Sequence, residues 1–324
     1  MPDLKIPEFI PHPVLRGGHA QTLAGTYLPG SKFAYRATRH RLDLPDGDAI
    51  ILHDDRPESW SDGDRAVLMM HGLAGCYESP YMIRIAGKLN DAGARVFRMD
   101  HRDCGAGAGL AIQPYNAGRS DDALAALREV IRLCPHSPVA IVGFSLSANI
   151  VLKLLGEDPA ALPPELDRGM AVNPPIDLLH SVKALDLPLG RLYDRHFVGL
   201  LCAQVDQRHR RLKGEPYPFP RKPRRLMEFD DWYTAPLSGY GNVNNYYARC
   251  SAAQFIPGIT VDTLVLSSGD DPLVPADQFD KVLLPSSVQL HIARSGGHMG
   301  YLSRNGHDPD RRWLDWRVVD WVTH

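Results

Sequence analysis

The chain contains few cysteines, and none of them is arranged as a pair. There are five, an odd number, and no CxxC spacing occurs. A disulfide framework needs an even set of cysteines, so the scattered thiols favour a reduced state and predict a cytoplasmic protein. They are Cys76, Cys104, Cys134, Cys202 and Cys250.

The sequence also lacks a long apolar segment and a strong charge of either sign. No apolar run approaches the roughly 18–20 residues that span a bilayer, so no transmembrane segment is expected. The first residues show no basic segment followed by an apolar core, so no signal peptide is expected. The formal net charge of −2 gives no overall field that would attract nucleic acid. No HExxH motif occurs, and we expect neither a metal nor a cofactor.

Short apolar runs alternate with segments of helical spacing from residue 64 onward. Such alternation predicts βαβ units and a mostly parallel sheet, hence an α/β fold formed by one domain over residues 1–324. The predicted strands are 66–70, 95–99, 139–142, 169–173, 263–266 and 288–292. The predicted helices are 80–93, 119–133, 148–155 and a C-terminal one that carries Trp313, Trp316, Val319 and Val322.

Two parts of the chain depart from this alternation. Residues 41–48 contain Asp46-Gly47 and predict a β-hairpin at an antiparallel edge of the sheet. Residues 175–258 are rich in proline, arginine and aromatic residues and predict a lid inserted between two strands. Its basic stretch, 215–225, is either a solvated loop or a site for an anionic partner. Its aromatic residues either belong to the core or line a pocket for an apolar, lipid-like group; they are Trp232, Tyr233, Tyr240, Tyr246 and Tyr247.

A serine lies at a tight turn between a predicted strand and a predicted helix. Gly143-Phe144-Ser145-Leu146-Ser147 nearly matches the G-x-S-x-G nucleophile elbow, with serine in the last position. Such a turn lifts a hydroxyl clear of the sheet, so Ser145 is the candidate nucleophile. Ser147 is a rival, but its spacing from Gly143 does not favour it. We expect the serine at position 147 to be tolerated with a small local adjustment.

A serine hydroxyl needs a base, and the base needs an orienting acid. His298 lies in a glycine-rich loop just past the last predicted strand, where active sites form at the edge of a sheet. Asp270 and Asp271 follow the preceding strand, and either aspartate could orient His298. Cys104 is an alternative nucleophile, but no histidine pairs with it as convincingly.

The oxyanion of an acyl-transfer intermediate needs two N–H donors. One should be the backbone N–H of Leu146, directly after the nucleophile. The other should be that of Leu73, in the loop after the first central strand. We expect His71 to have a structural role in that loop, because His53 and His101 show no ligand spacing with it.

Many segments of the chain resemble, in order, the YheT-like branch of the α/β-hydrolase superfamily. The matching segments are His19-Ala20-Gln21-Thr22-Leu23, His71-Gly72-Leu73-Ala74-Gly75, Asp100-His101-Arg102-Asp103-Cys104-Gly105, Gly143-Phe144-Ser145-Leu146, Phe229-Asp230-Asp231, Thr234-Ala235-Pro236-Leu237-Ser238-Gly239-Tyr240, Asn245-Tyr246-Tyr247, Asp270-Asp271-Pro272 and Gly296-Gly297-His298-Met299-Gly300. The resemblance implies an α/β-hydrolase fold with a helical lid insertion, and ester hydrolysis by a serine nucleophile without a cofactor. The order Ser145, Asp271, His298 is that of these hydrolases, and similar loops favour Asp271 over Asp270.

The chain departs from the family pattern at three places. Ser147 and Asp103 stand where glycine is usual in the family. Family members often carry a histidine ahead of the acidic pair near Asp121 and Asp122, a feature of an acyltransferase motif. Here Tyr115 is followed by Asn116, which does not favour that second activity.

The sequence therefore predicts a serine esterase acting on a small-molecule ester, either short-chain or lipid-like. A catalytically silent binding protein with the same fold and an acyltransferase are the alternatives, since a fold does not guarantee its chemistry. The sequence indicates no oligomeric state.

Overall fold

The structure is a computed structural model that describes residues 5–28, 35–306 and 308–324. The expectation of no signal peptide rests partly on residues 1–4, which lie outside the described residues. Within the described ranges, no helix combines the length and the apolar composition needed to cross a membrane.

An eight-stranded sheet forms the centre of the described chain. Its strands are β1 (Thr38–Asp43), β2 (Ala49–Asp55), β3 (Ala66–Met70), β4 (Arg95–Asp100), β5 (Val139–Phe144), β6 (Leu166–Val172), β7 (Asp262–Ser268) and β8 (Val288–Ala293). Their spatial order is β1-β2-β4-β3-β5-β6-β7-β8. The β1–β2 and β2–β4 pairs are antiparallel and all other pairs are parallel. The predicted mostly parallel sheet with an antiparallel edge hairpin is confirmed.

Helices cover both faces of this sheet, which explains why its central strands are apolar throughout. Because side chains alternate along a strand, Leu68 and Met70 of β3 pack on one face, while Val67 and Met69 pack on the other. The first face is covered by α3 (Ser120–Leu133) and α4 (Leu146–Glu157), and the second by α2 (Pro80–Asp91) and α10 (Trp313–Thr323).

The remaining helices lie outside these two layers. Helix α1 (Gly18–Tyr27) precedes the sheet, and five helices lie between β6 and β7, within the segment predicted as a lid. These five are α5 (Leu178–Ala184), α6 (Gly190–Lys213), α7 (Leu226–Phe229), α8 (Ala235–Leu237) and α9 (Val243–Cys250). Short 3₁₀ helices are Gly105–Gly107, Pro159–Ala161, Ala252–Gln254, Ile256–Gly258 and Ala276–Phe279, and Asp230–Thr234 forms a π-helical turn.

The basic stretch within the inserted segment is partly neutralised by acidic side chains. Arg221 pairs with Glu228 at 2.6 Å, and Arg225 pairs with Asp194 at 2.8 Å and also with Asp186. These ion pairs favour a structural surface loop over a site for an anionic partner.

Candidate active site

Ser145 occupies a strained turn between β5 and α4. Its φ of 53° and ψ of −121° lie where non-glycine residues are uncommon. Two glycines make room for the turn: a Cβ on Gly143 would collide with the backbone of Ser147, and a Cβ on Gly72 would lie 2.9 Å from the Cβ of Ser145. This is the sharp strand-to-helix turn that presents a serine hydroxyl at the edge of a sheet.

The structure brings Ser145, His298 and Asp271 together in hydrogen-bonding reach. His298 Nε2 lies 2.9 Å from Ser145 Oγ, and His298 Nδ1 lies 2.8 Å from Asp271 Oδ2. When Nδ1–H donates to the carboxylate, Nε2 is left as the acceptor for the serine proton. The three groups can therefore act as nucleophile, base and orienting acid.

Asp270 points away from His298 and shapes the loop that carries it. Its Oδ1 accepts hydrogen bonds from the N–H groups of Gly296 and Gly297, both at 2.9 Å, and from Ser268 Oγ at 2.8 Å. The adjacent aspartates thus have different surroundings, and only Asp271 contacts the imidazole.

Asn173 and Thr22 also hold the candidate triad, although no sequence pattern singled out either residue. The Nδ2 of Asn173 donates to Asp271 Oδ2 at 2.6 Å, and Thr22 Oγ1 accepts from the backbone N–H of His298 at 2.8 Å. Asn173 directly follows β6, the strand beside the elbow strand, and its place at that end of the sheet was the available signal. Thr22 lies on α1, which approaches the histidine loop so closely that a Cβ on Gly25 would lie 2.7 Å from the Cα of Gly300.

The two predicted oxyanion donors flank Ser145. Leu146 is the first residue of α4, where an N–H has no acceptor within its own helix. In the loop after β3, the N–H of Gly72 donates to Tyr81 Oη at 2.9 Å, and the next N–H is that of Leu73. Neither the Leu73 nor the Leu146 N–H bonds a backbone acceptor among the described residues. Both residues line the same cavity as Ser145.

Ser147 is fully buried beneath the elbow, in a polar cluster. Its hydroxyl donates to the backbone carbonyl of His71 at 2.5 Å and lies 2.7 Å from His101 Nε2 and 3.2 Å from Tyr115 Oη. Burial lowers the pKa of the His71 and His101 imidazoles, so both are neutral and an N–H of His101 can donate to Ser147. The hydroxyl of Ser147 therefore serves the packing of the elbow and does not face a cavity.

The other residues weighed from the sequence also have structural surroundings. His71 Nδ1 lies 2.8 Å from the carbonyl of Gly72 and so braces its own loop. Burial raises the pKa of the Cys104 thiol to about 12, which leaves little reactive thiolate. Asp103 has a φ of 57°, a conformation that glycine adopts without strain, and this fits the glycine that the family resemblance leads us to expect there. The described chain contains no group of three or more His, Cys, Asp or Glu side chains placed to hold a metal ion.

Two cavities meet at Ser145 and His298. The first, of about 140 Å³, lies against the inserted segment and is called the lid cavity; its apolar wall includes Phe197, Leu201 and Phe229. The second, of about 570 Å³, lies between α1 and the start of α6 and is called the α1 cavity. Of the aromatic residues predicted to line a pocket, Tyr233, Tyr246 and Tyr247 line the lid cavity.

Comparisons with known proteins agree with this architecture. The sequence profile of the alpha/beta hydrolase fold matches residues 65–304. The chain is 30% identical to “Putative esterase YheT” of Escherichia coli (strain K12), over 98% of this chain and 93% of that protein. It is 27% identical to the monoacylglycerol lipase of Saccharomyces cerevisiae, over 89% of this chain and 64% of that protein, and 23% identical to human phospholipase ABHD3, over 88% and 71%.

A solved structure shares the fold at low sequence identity. The esterase Pf2001 of Pyrococcus furiosus superposes with a TM-score of 0.57 and 14% identity, covering 91% of this chain and 96% of that one. At this identity the similarity speaks for the fold alone.

Proposed function

The chain belongs to the YheT-like family of α/β hydrolases, and from this premise we propose that it is a serine hydrolase that cleaves carboxylic esters through an acyl-enzyme. One observation carries the proposal: Ser145 Oγ, His298 Nε2, His298 Nδ1 and Asp271 Oδ2 form a continuous chain of contacts of 2.9 and 2.8 Å. The cavities at Ser145 give a substrate access to it.

Each group in this arrangement has a defined task in the proposed reaction. His298 Nε2 takes the proton of Ser145 as Oγ attacks the ester carbonyl carbon, and Asp271 stabilises the imidazolium that forms. The Leu73 and Leu146 N–H groups bind the oxyanion. His298 then protonates the leaving alcohol, and a water molecule deprotonated by His298 releases the acyl group as a carboxylic acid. General-base catalysis supplies about 10²–10⁴-fold and one oxyanion donor about 10²–10³-fold.

The substrate in this proposal is an ester with an apolar group. The lid cavity exposes mostly apolar surface beside Ser145, and apolar cavities of this kind bind apolar ligands. The names of two relatives, a monoacylglycerol lipase and a phospholipase, point to lipid esters as well. An acyl-chain-length series on the purified protein, from acetate to long-chain esters, tests this part.

Residues 175–258 are the lid in this proposal, within a single domain that needs no cofactor. The cytoplasmic location predicted from the scattered cysteines is part of the same proposal.

Replacing Ser145 tests the mechanism directly. The Ser145→Ala variant should lose hydrolysis of a short p-nitrophenyl ester and labelling by a fluorophosphonate probe, while its circular dichroism spectrum matches that of the parent. The matched control is Cys104→Ala, which should keep both activity and labelling because the proposed mechanism does not use the thiol. Full activity in Ser145→Ala would refute the assignment.

Two further outcomes separate the alternatives. A folded parent protein that neither reacts with the probe nor hydrolyses any ester of the series would be a binding protein with a silent site. Transfer of the acyl group to an added alcohol, in preference to water, would identify an acyltransferase that shares the acyl-enzyme.

A further inference from the structure

Four exposed apolar side chains line one cavity of the molecule, and a fifth exposed leucine lies two residues before one of them in the chain. We call this group the leucine rim. Their exposed fractions are 50–70%, which is high for such large apolar groups clustered together. The members are Leu23 (50%), Tyr27 (70%), Leu187 (66%), Leu189 (55%) and Leu192 (61%).

Four members of the leucine rim line the α1 cavity. Leu23 and Tyr27 on α1 line that cavity from one side, and Leu189 and Leu192 line it from the other, while Ser145 lies inside it. Leu187 lies two residues before Leu189 in the turn that leads into α6. A molecule that enters past the rim therefore reaches the candidate nucleophile.

The two sides of the rim are joined by a direct contact. His19 Nδ1 on α1 lies 3.0 Å from Tyr193 Oη on α6, and the two rings stack with their centres 5.7 Å apart. This contact holds α1 against the start of α6, so the exposed side chains form one surface.

Helix α6 presents apolar side chains on both of its faces. Leu201 is buried, and Leu192, nine residues earlier, lies on the opposite face of the helix and is exposed. A helix at a protein surface normally places polar residues on its outer face. The exposed face of α6 near Leu192 is therefore apolar, as is typical of a surface that contacts an apolar partner.

Two cations flank the exposed leucine of α6. Arg191 and Arg195 are both exposed, and within the described ranges neither forms an ion pair. The exposed Asp186 nearby is instead paired with Arg225. Free arginines beside exposed leucines complement a layer of phosphate groups that covers an apolar interior.

We propose that the leucine rim docks on a phospholipid surface, so that lipid esters pass from that surface into the α1 cavity. The inference rests on the proposed function for the identity of the entering molecule. A second copy of the chain seated on the rim would cover the entrance to Ser145, whereas a lipid surface supplies substrate through it. The rim and the free arginines together favour the lipid surface.

Sedimentation with vesicles tests this docking without any turnover. The full-length Ser145→Ala protein is mixed with sucrose-loaded vesicles of phosphatidylcholine and phosphatidylglycerol, and the bound fraction is measured after centrifugation. We expect binding by this parent, and a partition coefficient about tenfold lower when Leu187→Asp is added, because a charge replaces a leucine that enters the interface.

The matched control is Leu283→Asp in the same background. Leu283 is 75% exposed. It precedes the amino end of β8, whereas Ser145 follows the carboxyl end of β5, so the two residues lie toward opposite ends of the parallel strands. This variant should bind as the parent does, and circular dichroism checks that both variants fold. Equal binding by the two aspartate variants, or no binding by the parent, would overturn the proposal. A dimer in analytical ultracentrifugation that Leu187→Asp dissociates, without vesicle binding, would assign the rim to a second copy instead. Because sedimentation measures binding and not turnover, this result is independent of the esterase test.

Discussion

Replacing Ser147 with alanine should destabilise the protein, although serine is an unusual residue at this position of the elbow. The hydroxyl of Ser147 is fully buried and uses all of its hydrogen-bonding capacity: it donates to the carbonyl of His71 and can accept from His101 and Tyr115. Alanine removes the hydroxyl and leaves its three hydrogen-bonding neighbours in a site that solvent does not reach.

The size of the effect follows from which neighbours can find a new partner. Tyr115 Oη lies 3.5 Å from the carbonyl of His71, so these two groups can bond to each other. His101 cannot adapt in this way, because its Nδ1 already lacks a partner among the described residues. Either tautomer then carries a buried N–H without an acceptor, which costs about 1–3 kcal/mol, and the lost hydrogen bond adds about 1 kcal/mol.

We therefore expect the free energy of unfolding to fall by about 3 kcal/mol in Ser147→Ala. For a chain of this length, that change lowers Tm by about 4 °C. Urea unfolding at pH 8, followed by tryptophan fluorescence, measures the free energy, and both imidazoles are neutral at this pH because burial lowers their pKa.

Ser267→Ala is the matched control for this measurement. Ser267 is also fully buried, but its Oγ has no hydrogen-bond partner in the part of the chain that the structure describes. Removing an unpartnered hydroxyl should change the stability little or increase it. If Ser147→Ala proved as stable as Ser267→Ala, the polar cluster beneath the elbow would contribute nothing and the reasoning would fail.

Three further predictions concern the site and its surroundings. Asp271→Asn should lower kcat by about 10⁴-fold, because the amide favours the wrong tautomer of the histidine. Asp270→Asn is the control and should retain most activity, because its amide oxygen can still accept hydrogen bonds from the loop N–H groups. Equal losses of kcat in the two variants would contradict the assignment. Gly72→Ala places a Cβ 2.9 Å from that of Ser145 and should lower kcat by about 10²-fold through displacement of the nucleophile; an unchanged kcat would show that the elbow tolerates the shift. Burial raises the pKa of Asp230 from 3.8 to about 6, so between these values the folded state keeps a proton that the unfolded state has lost. Stability should therefore fall by about 2 kcal/mol as pH rises from 4 to 7 through this group. Asp230→Asn should lose that part of the pH dependence in urea unfolding, and identical profiles would refute it.

Much of the fold could be predicted because its determinants are local in the sequence. The apolar run 139–142 and the helical pattern after Ser147 appear in the structure as β5 and α4, with Ser145 at the turn between them. Hydrophobic periodicity and glycine placement act over a few neighbouring residues, so they can be read without knowing the partners in space.

The residues alone left both adjacent aspartates open, and only the resemblance to hydrolase loops favoured Asp271 over Asp270. Asp270 and Asp271 have nearly the same sequence surroundings, and only the path of the loop directs one carboxylate to the imidazole and the other to the glycine N–H groups. Asn173 and Thr22 were missed for a related reason. Their contacts with the triad join segments more than 90 residues apart.

The sequence alone determined the order of strands and helices from residue 64 onward outside the inserted segment, the position of the elbow and the presence of a histidine loop after the last strand. Each of these depends on neighbouring residues. Only the tertiary structure decided what surrounds Ser147, where the two cavities lie and that four exposed apolar side chains line one of them. These features arise where separate elements pack against each other, and an apolar residue in a sequence does not reveal whether packing will bury it or leave it at the surface.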